Sequence, residues 1–245
     1  MSSSAETRHI YLMQKTSCID QEPRRERVPT FSIRCYEPKD YHVVRQMFKC
    51  CCLELVMPGF RWSLRQPASI ALFLVCGSIS YALTYSLWYV ILAATALAAV
   101  MYYACWRIFT DFMKLKLQTE MGNIEKYYIK PPGSCFWVAE ADGKVIGTIA
   151  VKRLPEHQEA CELFRMFVQH KFCRCGLAKK LLETAFEFAK DYGYKTCHVQ
   201  TNITQVPAVY MYKKMGFQQY GKCHLIGSCL TFLTQISDLR LKKAI

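Results

Sequence analysis

Two segments of the sequence place groups that can bind anions and donate protons close together. In residues 168–182, a strand pattern gives way to a helix pattern after a loop with one glycine, Gly176. Backbone N–H groups converge at such a helix start and carry partial positive charge, so they can hold a pyrophosphate. In residues 205–217, a short helix carries Tyr212, whose hydroxyl can give a proton to a thiolate leaving group. A plain helix start is the alternative interpretation of the first segment.

The strand pattern before the glycine loop carries two charged candidates. Arg165 interrupts an otherwise apolar run, and a guanidinium can bind the carboxylate of an amino-dicarboxylic substrate through two hydrogen bonds. The alternative is an arginine that points to solvent or pairs with Glu162 or Glu183. Glu162 can act as a base through a water molecule, and its alternative is a solvated or ion-paired glutamate. His198 is interpreted as a packed or surface strand residue.

The second segment contains a longer pattern. Ala208, Tyr212, Gly216 and Phe217 match in full the sequence A-x-x-x-Y-x-x-x-G-F. In this the chain resembles the GNAT acetyltransferase superfamily, in which such a helix follows the coenzyme A loop one strand later. The resemblance implies that a neutral amine attacks the thioester, a backbone N–H polarises its carbonyl, and Tyr212 protonates coenzyme A as it leaves.

The first segment matches the same superfamily in part. Its loop usually reads Gln or Arg, two residues, Gly, one residue, then Gly or Ala. Gly176 and Ala178 match, while Cys173 replaces Gln or Arg, with Arg174 beside it. The resemblance implies acetyl-CoA as co-substrate and no metal. The coenzyme contacts that it implies are Phe167, Val168, Cys173, Arg174, Cys175, Gly176, Leu177, Ala178, Lys179, Gln205 and Ala208.

Three further runs narrow the resemblance. Residues 133–140 and an apolar insertion after the first helix are similar to the camello-type membrane-bound acetyltransferases. Residues 125–133 and 163–168 are more similar to the aspartate N-acetyltransferase branch, N-acetylaspartate synthetase. The resemblance covers residues 31–245. It implies the GNAT acyl-CoA N-acyltransferase fold, an α/β (α+β) mixed twisted sheet with flanking helices.

The elements that must position these residues follow from local patterns. Strands are predicted at 31–36, 135–140, 144–151, 162–168, 195–201 and from Phe217 onward. Asp142-Gly143 is a two-residue turn signal between two of them. Helices are predicted after Asp40, with Val43, Val44, Met47, Phe48 and Cys51 on one face, and at 108–128, 176–192 and 207–215.

An uncharged stretch interrupts this order. Between Arg65 and Arg107 there is no Asp, Glu, Lys, Arg or His, and one bilayer crossing takes roughly 20 apolar residues. A transmembrane hairpin at 67–107 is therefore predicted, with its turn at the aromatic cluster of residues 81–89. Flanking Arg and Lys residues place both ends in the cytosol. The alternatives are a buried hairpin, one long tilted helix, or a re-entrant loop.

The hairpin divides the chain into four parts. Residues 1–30 are a polar, basic and flexible tail, 31–66 open the acetyltransferase domain, and 108–245 complete it. The expected location is an integral membrane protein of the endoplasmic reticulum, or of mitochondria, with its catalytic domain in the cytosol. Asn202-Ile203-Thr204 is a glycosylation sequon that a cytosolic domain leaves unused.

Composition excludes several other classes. The formal charge of +13 is scattered rather than gathered into a stripe with exposed aromatics, which disfavours nucleic acid. The 14 cysteines lack a disulfide framework, so reduced thiols are expected, and the histidines form no metal-ligand spacing with them. Cys50-Cys51-Cys52 is interpreted as buried thiols, with acylation near the membrane as the alternative.

The function predicted from these patterns is acetyl transfer from acetyl-CoA to a small amino acid. L-Aspartate is the first acceptor, because Arg165 can bind a second carboxylate and the branch-like runs agree. The alternatives are cysteine S-conjugates or protein lysines as acceptors. A pseudoenzyme that only binds partners at the membrane is an alternative of another class. The predicted partners are acetyl-CoA, the amino acid and membrane lipid.

Overall fold

The computed structural model describes residues 30–155, 157–224 and 234–245; the predicted tail lies outside them except for Thr30. Within these residues the strands form a seven-stranded sheet in the order β1-β2-β3-β4-β5-β7-β6. The strands are β1 Ser32–Cys35, β2 Cys135–Ala141, β3 Lys144–Leu154, β4 His157–Val168, β5 Thr196–Asn202, β6 Gln218–His224 and β7 Ser237–Ala244.

Strand directions follow from the length of each connection. β2 and β3 pair antiparallel across Asp142 and Gly143, whose φ angles of 48° and 72° suit a two-residue hairpin, as predicted. β4 and β5 are parallel, because a helix returns the chain between them. β7 then pairs antiparallel with both β5 and β6. The sheet is therefore mixed, as expected.

Six α-helices lie among the described residues. They are α1 Tyr41–Glu54, α2 Val56–Leu64, α3 Pro67–Thr84, α4 Leu87–Gln118, α5 Leu177–Asp191 and α6 Val206–Lys214. α1 buries Val44, Met47, Phe48 and Cys52, which recur at intervals of three and four. The predicted face was partly wrong: Val43 is 45% exposed, because one step along a helix turns a side chain by about 100°.

The uncharged stretch forms two helices rather than one long helix. α3 and α4 meet at Tyr85, which has a left-handed φ of 51°, within the predicted aromatic cluster. Both helices are long and apolar enough to cross a membrane. Only 6% of the most apolar stretch of α3 and 11% of that of α4 are buried within the protein. That exposure also excludes a hairpin buried within this chain.

The second helix of this hairpin does not end at Arg107. The structure continues α4 to Gln118, so the separate helix predicted at 108–128 is wrong. No glycine or proline interrupts residues 87–118, and Arg107 pairs with Asp111 one turn later at 3.1 Å. Residues Glu125–Ile129 form a separate short π-helix.

The sheet has a helical layer on each face. α5 and α6 cover one face, where Leu181, Leu182 and Leu163 are buried. α1 and the chain that follows α4 cover β2, β3 and part of β4 on the other face, where Phe48 and Phe136 are fully buried. A smaller cluster joins α2, α4 and Ile236. The two layers meet at the point where β4 and β5 separate.

Candidate functional site

A cavity of about 210 Å³ opens where the paired strands β4 and β5 diverge. β4 pairs with β5 only from Ala160 to Leu163, although both strands continue beyond that point. One wall is apolar and comes from α1, α4 and the turn between α1 and α2: Phe48, Cys52, Leu55, Ile108, Phe109 and Phe112. The polar lining comes from β4, β5, α6 and β7: Glu162, Arg165, Gln200, Asn202, Gln205, Tyr212 and Asp238.

Tyr212 reaches this cavity from α6. Proline at the start of α6 fits its first turn, and Tyr212 lies in the last turn of the helix, where it is 4% exposed. Its hydroxyl donates to the Met166 sulfur at 3.2 Å, and its ring packs edge-on against Phe217 at 5.5 Å. Burial raises the pKa of Tyr212 well above its usual value. The phenol therefore keeps its proton at neutral pH and can donate it.

Glu162 lines the same cavity from β4 and is half-buried. Among the described residues, none donates a hydrogen bond to its carboxyl group. Burial raises the pKa of Glu162, and the positive charge of Arg240 opposes that rise more than any other charge. A carboxyl group with a raised pKa is a better proton acceptor than an ordinary surface glutamate.

Arg165 lies on the cavity wall, but its charge is already paired. It forms an ion pair with Glu120, and its Nε donates to the Tyr128 hydroxyl at 3.0 Å. Its guanidinium also lies over the Phe48 ring, 5.0 Å from the centroid. The alternatives of solvent exposure or pairing with Glu162 or Glu183 were therefore wrong, because Arg165 points into the layer below α1 and is 8% exposed.

Glu120 is the residue that sequence reasoning missed. It lies two residues after α4 and accepts from Lys116 at 2.5 Å and from the Tyr128 hydroxyl at 2.5 Å. Burial alone would raise the pKa of Glu120, but Arg165, Lys116 and Tyr128 together lower it to about 2. The carboxylate stays charged at neutral pH. A spacing of 45 residues from Arg165 gave no local signal for the pair.

The glycine loop lies outside the cavity. Gly176 adopts a φ of 80° and α5 begins at the next residue, so the N–H groups of its first turn have no helical partner. Arg174 is exposed with a φ of 68°. Cys173 is exposed, and its thiol contacts the Gln169 carbonyl at 3.7 Å. This surface is the candidate pyrophosphate cradle.

The predicted coenzyme contacts divide into two groups. Phe167 and Gln205 line the cavity together with Tyr212. The others lie beside it, on the end of β4, the loop, the start of α5 or α6: Val168, Cys173, Arg174, Cys175, Gly176, Leu177, Ala178, Lys179 and Ala208. Leu177 is buried beneath the loop, whereas Lys179 is exposed and lies 3.6 Å from Glu183.

Two other predicted features have structural outcomes. Cys52 is buried and Cys50 and Cys51 are partly buried, in agreement with thiols of the first helix. Asn202 of the sequon is 7% exposed and hydrogen-bonds to Asp238, a carboxylate that was not singled out from the sequence. Within residues 30–155, 157–224 and 234–245, no group of three metal-ligating side chains comes together.

Comparison with known proteins agrees with this geometry. Residues 101–217 match the model of the acetyltransferase (GNAT) family. The chain is 34% identical over 190 residues to the N-acetylaspartate synthetase of Rattus norvegicus, covering 77% of this chain and 63% of that protein. It is 30% identical over 211 residues to N-acetyltransferase 8 of Rattus norvegicus, covering 85% and 94%. The chain belongs to the GNAT family of N-acetyltransferases.

The likeness extends to solved GNAT structures. An acetyltransferase of this family from Staphylococcus aureus matches with a TM-score of 0.52 at 15% identity, over 88% of this chain and 99% of that one. The predicted GNAT fold and family are confirmed. The chain spans less than two thirds of the length of the N-acetylaspartate synthetases it matches, at 63%.

Proposed function

We propose that the protein transfers the acetyl group of acetyl-CoA to the amine of a small amino acid, with L-aspartate as the first acceptor to test. The observation that carries the proposal is the buried Tyr212 phenol at the point where β4 and β5 separate. Bound acetyl-CoA would supply the activated thioester. The loop fits its pyrophosphate, because Gly176 adopts a left-handed conformation at the start of α5, whose first N–H groups have no helical partner.

The chain's own residues would then move two protons. Glu162 accepts the proton of the acceptor ammonium through a water molecule, which leaves a neutral amine. As the amine attacks the carbonyl carbon and the carbon–sulfur bond breaks, Tyr212 gives its proton to the departing sulfur. The nitrogen of the new amide loses its extra proton to water, Glu162 releases its proton to water, and Tyr212 takes a proton back from water. The coenzyme loop and the cavity wall hold the two reactants in line.

Arg165 supports aspartate as the acceptor on one condition. A guanidinium on the cavity wall suits the side-chain carboxylate, and relatives at about a third identity are named N-acetylaspartate synthetase. Because Glu120 already neutralises Arg165, the substrate must displace Glu120 or share the guanidinium with it. Removal of the Glu120 charge by Glu120→Gln should therefore strengthen aspartate binding, while Arg165→Ala should weaken it.

The experiment uses the full chain in detergent and measures coenzyme A release with aspartate, a cysteine S-conjugate and a lysine peptide. We expect turnover of aspartate, a lower KM in Glu120→Gln and a KM at least tenfold higher in Arg165→Ala. Lys195→Ala is the matched control, because this exposed residue pairs with the exposed Glu159 and with no other described residue. Turnover of the other acceptors without aspartate would refute the aspartate assignment. If no amine causes coenzyme A release, the pseudoenzyme is the interpretation that remains.

A second acceptor class has one observation in its favour. Phe48, Phe109 and Phe112 form an apolar wall opposite the polar lining, and such a wall suits the hydrocarbon group of a cysteine S-conjugate. The same assay separates the two, since truncation of this wall by Phe112→Ala would raise the KM for the conjugate more than the KM for aspartate.

The hairpin is proposed to anchor the domain in a membrane. α3 and α4 have the length and hydropathy of crossings, and their exposed surfaces are largely apolar. We propose a four-part chain, with an endoplasmic reticulum or mitochondrial location and the catalytic domain in the cytosol. Protease protection in sealed microsomes tests this orientation: digestion of the domain from outside is expected, and its protection would contradict the topology.

A further inference from the structure

The half of the sheet formed by β5 and β7 has one polar face beside the cavity. Its register places His198 opposite Lys242, Gln200 opposite Arg240 and Asn202 opposite Asp238. The intervening residues Cys197, Val199 and Leu241 belong to the core under α5 and α6. Since neighbouring residues of a strand point to opposite faces, the polar set faces the other way.

Asp238 is fixed on this face by its neighbours. Gln200 donates to one carboxylate oxygen at 2.8 Å and Asn202 to the other at 3.0 Å. Asn202 is oriented in turn by Thr204, whose N–H and hydroxyl donate to its carbonyl oxygen at 3.0 and 2.6 Å. The carboxylate is held by amides alone, with no cation within ion-pair distance among the described residues.

Burial of the Asp238 carboxylate without a cation costs free energy unless a ligand supplies a positive charge. Asp238 is 8% exposed and lines the cavity. Burial raises its pKa, and the two amide hydrogen bonds only partly oppose that rise. A buried carboxylate without a cation loses solvation that hydrogen bonds from neutral amides repay only in part. A ligand ammonium would supply the missing charge.

Arg240 lies two residues along the same strand and on the same face. Two residues of a strand span about 7 Å, which brings the long arginine side chain within reach of a small ligand held at Asp238. Arg240 is exposed and forms no hydrogen bond or ion pair with a described residue. Its partner across the strand pair, Gln200, lines the cavity, so Arg240 lies next to the cavity edge.

We propose that Asp238 binds the ammonium, and Arg240 the α-carboxylate, of a free α-amino acid acceptor. The two groups have opposite charge and the spacing that a zwitterion needs. The side chain of the acceptor then extends toward Arg165 and the apolar wall. A protein lysine does not fit, since its ε-ammonium has no carboxylate nearby. This inference rests on the proposed acetyl transfer and specifies its acceptor class.

The test compares each amino acid with the amine that lacks only its α-carboxylate. The pairs are L-aspartate with β-alanine, and S-benzyl-L-cysteine with S-benzylcysteamine. In wild type we expect the amino acid to have a KM at least tenfold lower than its analogue. Arg240→Gln should raise the KM of the amino acid about tenfold or more, and leave that of the analogue unchanged. The discrimination between the two should disappear.

Two further variants test whether the effect is specific to the α-carboxylate and to Arg240. Lys242→Gln removes a charge from the same face of the same strand. Lys242 lies two residues farther from Asp238, opposite His198, which does not line the cavity, and its ammonium lies over the Tyr220 ring at 5.6 Å, so the discrimination should persist. Asp238→Asn should raise the KM of amino acid and analogue alike, since both carry the ammonium. Thermal unfolding of each variant confirms that it is folded.

The outcomes separate this inference from the proposed function. Turnover of amino acids with unchanged discrimination in Arg240→Gln overturns the inference alone. If wild type acetylates no amine, the proposed function fails, and titration calorimetry with L-aspartate and S-benzyl-L-cysteine then decides the inference. Binding to wild type that is lost in Arg240→Gln supports it, and no binding, or equal binding to both, overturns it.

Discussion

Removal of the Glu120 charge should destabilise the fold by about 3 kcal/mol. The Arg165 side chain is only 8% exposed and forms an ion pair with Glu120, so Glu120→Gln leaves a buried cation without its counter-charge. Breaking a buried pair from one side costs about 3–5 kcal/mol. The lowering of the Glu120 pKa from 4.5 to about 2 gives an independent figure of about 3 kcal/mol, with some reduction because Glu120 is 20% exposed.

The assay is thermal unfolding of the detergent-solubilised protein, followed by tryptophan fluorescence. A loss of about 3 kcal/mol corresponds to a fall in Tm of about 6–12 °C for a domain of this size. Glu159→Gln is the control, because its ion pair with Lys195 is exposed on both sides and should contribute under about 1 kcal/mol. A Glu120→Gln variant that unfolds within 2 °C of this control would refute the reasoning.

Two further measurements test whether the loss of stability comes from the Glu120–Arg165 ion pair. The double variant Glu120→Gln with Arg165→Met should be more stable than Glu120→Gln alone, because it contains no unpaired buried cation. The folded-state pKa of Glu120 is lowered, so its contribution is present above pH 4.5 and is lost as pH falls toward 2. Wild type should therefore lose stability over this acid range more steeply than Glu120→Gln.

Three other changes have definite expected results. Tyr212→Phe should lower kcat by about 10²–10⁴-fold with little change in Tm, because the one hydrogen bond of its hydroxyl to a described residue is the weak one to the Met166 sulfur. Coenzyme A release measures this, and a loss below threefold would contradict it. Gly176→Ala should lower the free energy of unfolding by about 1–2 kcal/mol and weaken acetyl-CoA binding in calorimetry. Gly143 also has a positive φ, so Gly143→Ala should lower the free energy of unfolding by a similar amount and leave acetyl-CoA binding unchanged. Phe48→Ala should cost about 3–5 kcal/mol in thermal unfolding, since Phe48 is fully buried.

Sequence patterns predicted the elements that local chemistry determines. The hairpin at Asp142-Gly143 formed because its two residues tolerate positive φ, and α5 formed on a clear apolar face that buries Leu177, Leu181 and Ala185. Element ends were less accurate. β4 begins at His157 rather than Glu162, because pairing with its neighbours, which local pattern does not contain, extends the strand.

The candidate site was predictable in its residues but not in their partners. Tyr212, Glu162 and Arg165 were selected by type and position, and all three line one cavity. The pairing of Arg165 with Glu120 depends on where the chain after α4 packs, which no short-range spacing contains. Asp238 was overlooked for a similar reason: its environment comes from Gln200 and Asn202, which face it only through strand pairing.

The continuity of α4 links the apolar hairpin to the chemistry of the site. The same helix that leaves the turn at Tyr85 supplies Phe109 and Phe112 to the cavity wall, and two residues after its end Glu120 pairs with Arg165. Lys116 in the last turn of α4 and Arg165 both pair with Glu120, so α4 contacts the Arg165 guanidinium through this carboxylate. Hydropathy marks Arg107 as the end of an insertion, and every residue of α4 that lines the cavity follows Arg107. The part of α4 that follows Arg107 therefore belongs to the site, whereas residues 67–107 contribute none of the residues that line the cavity.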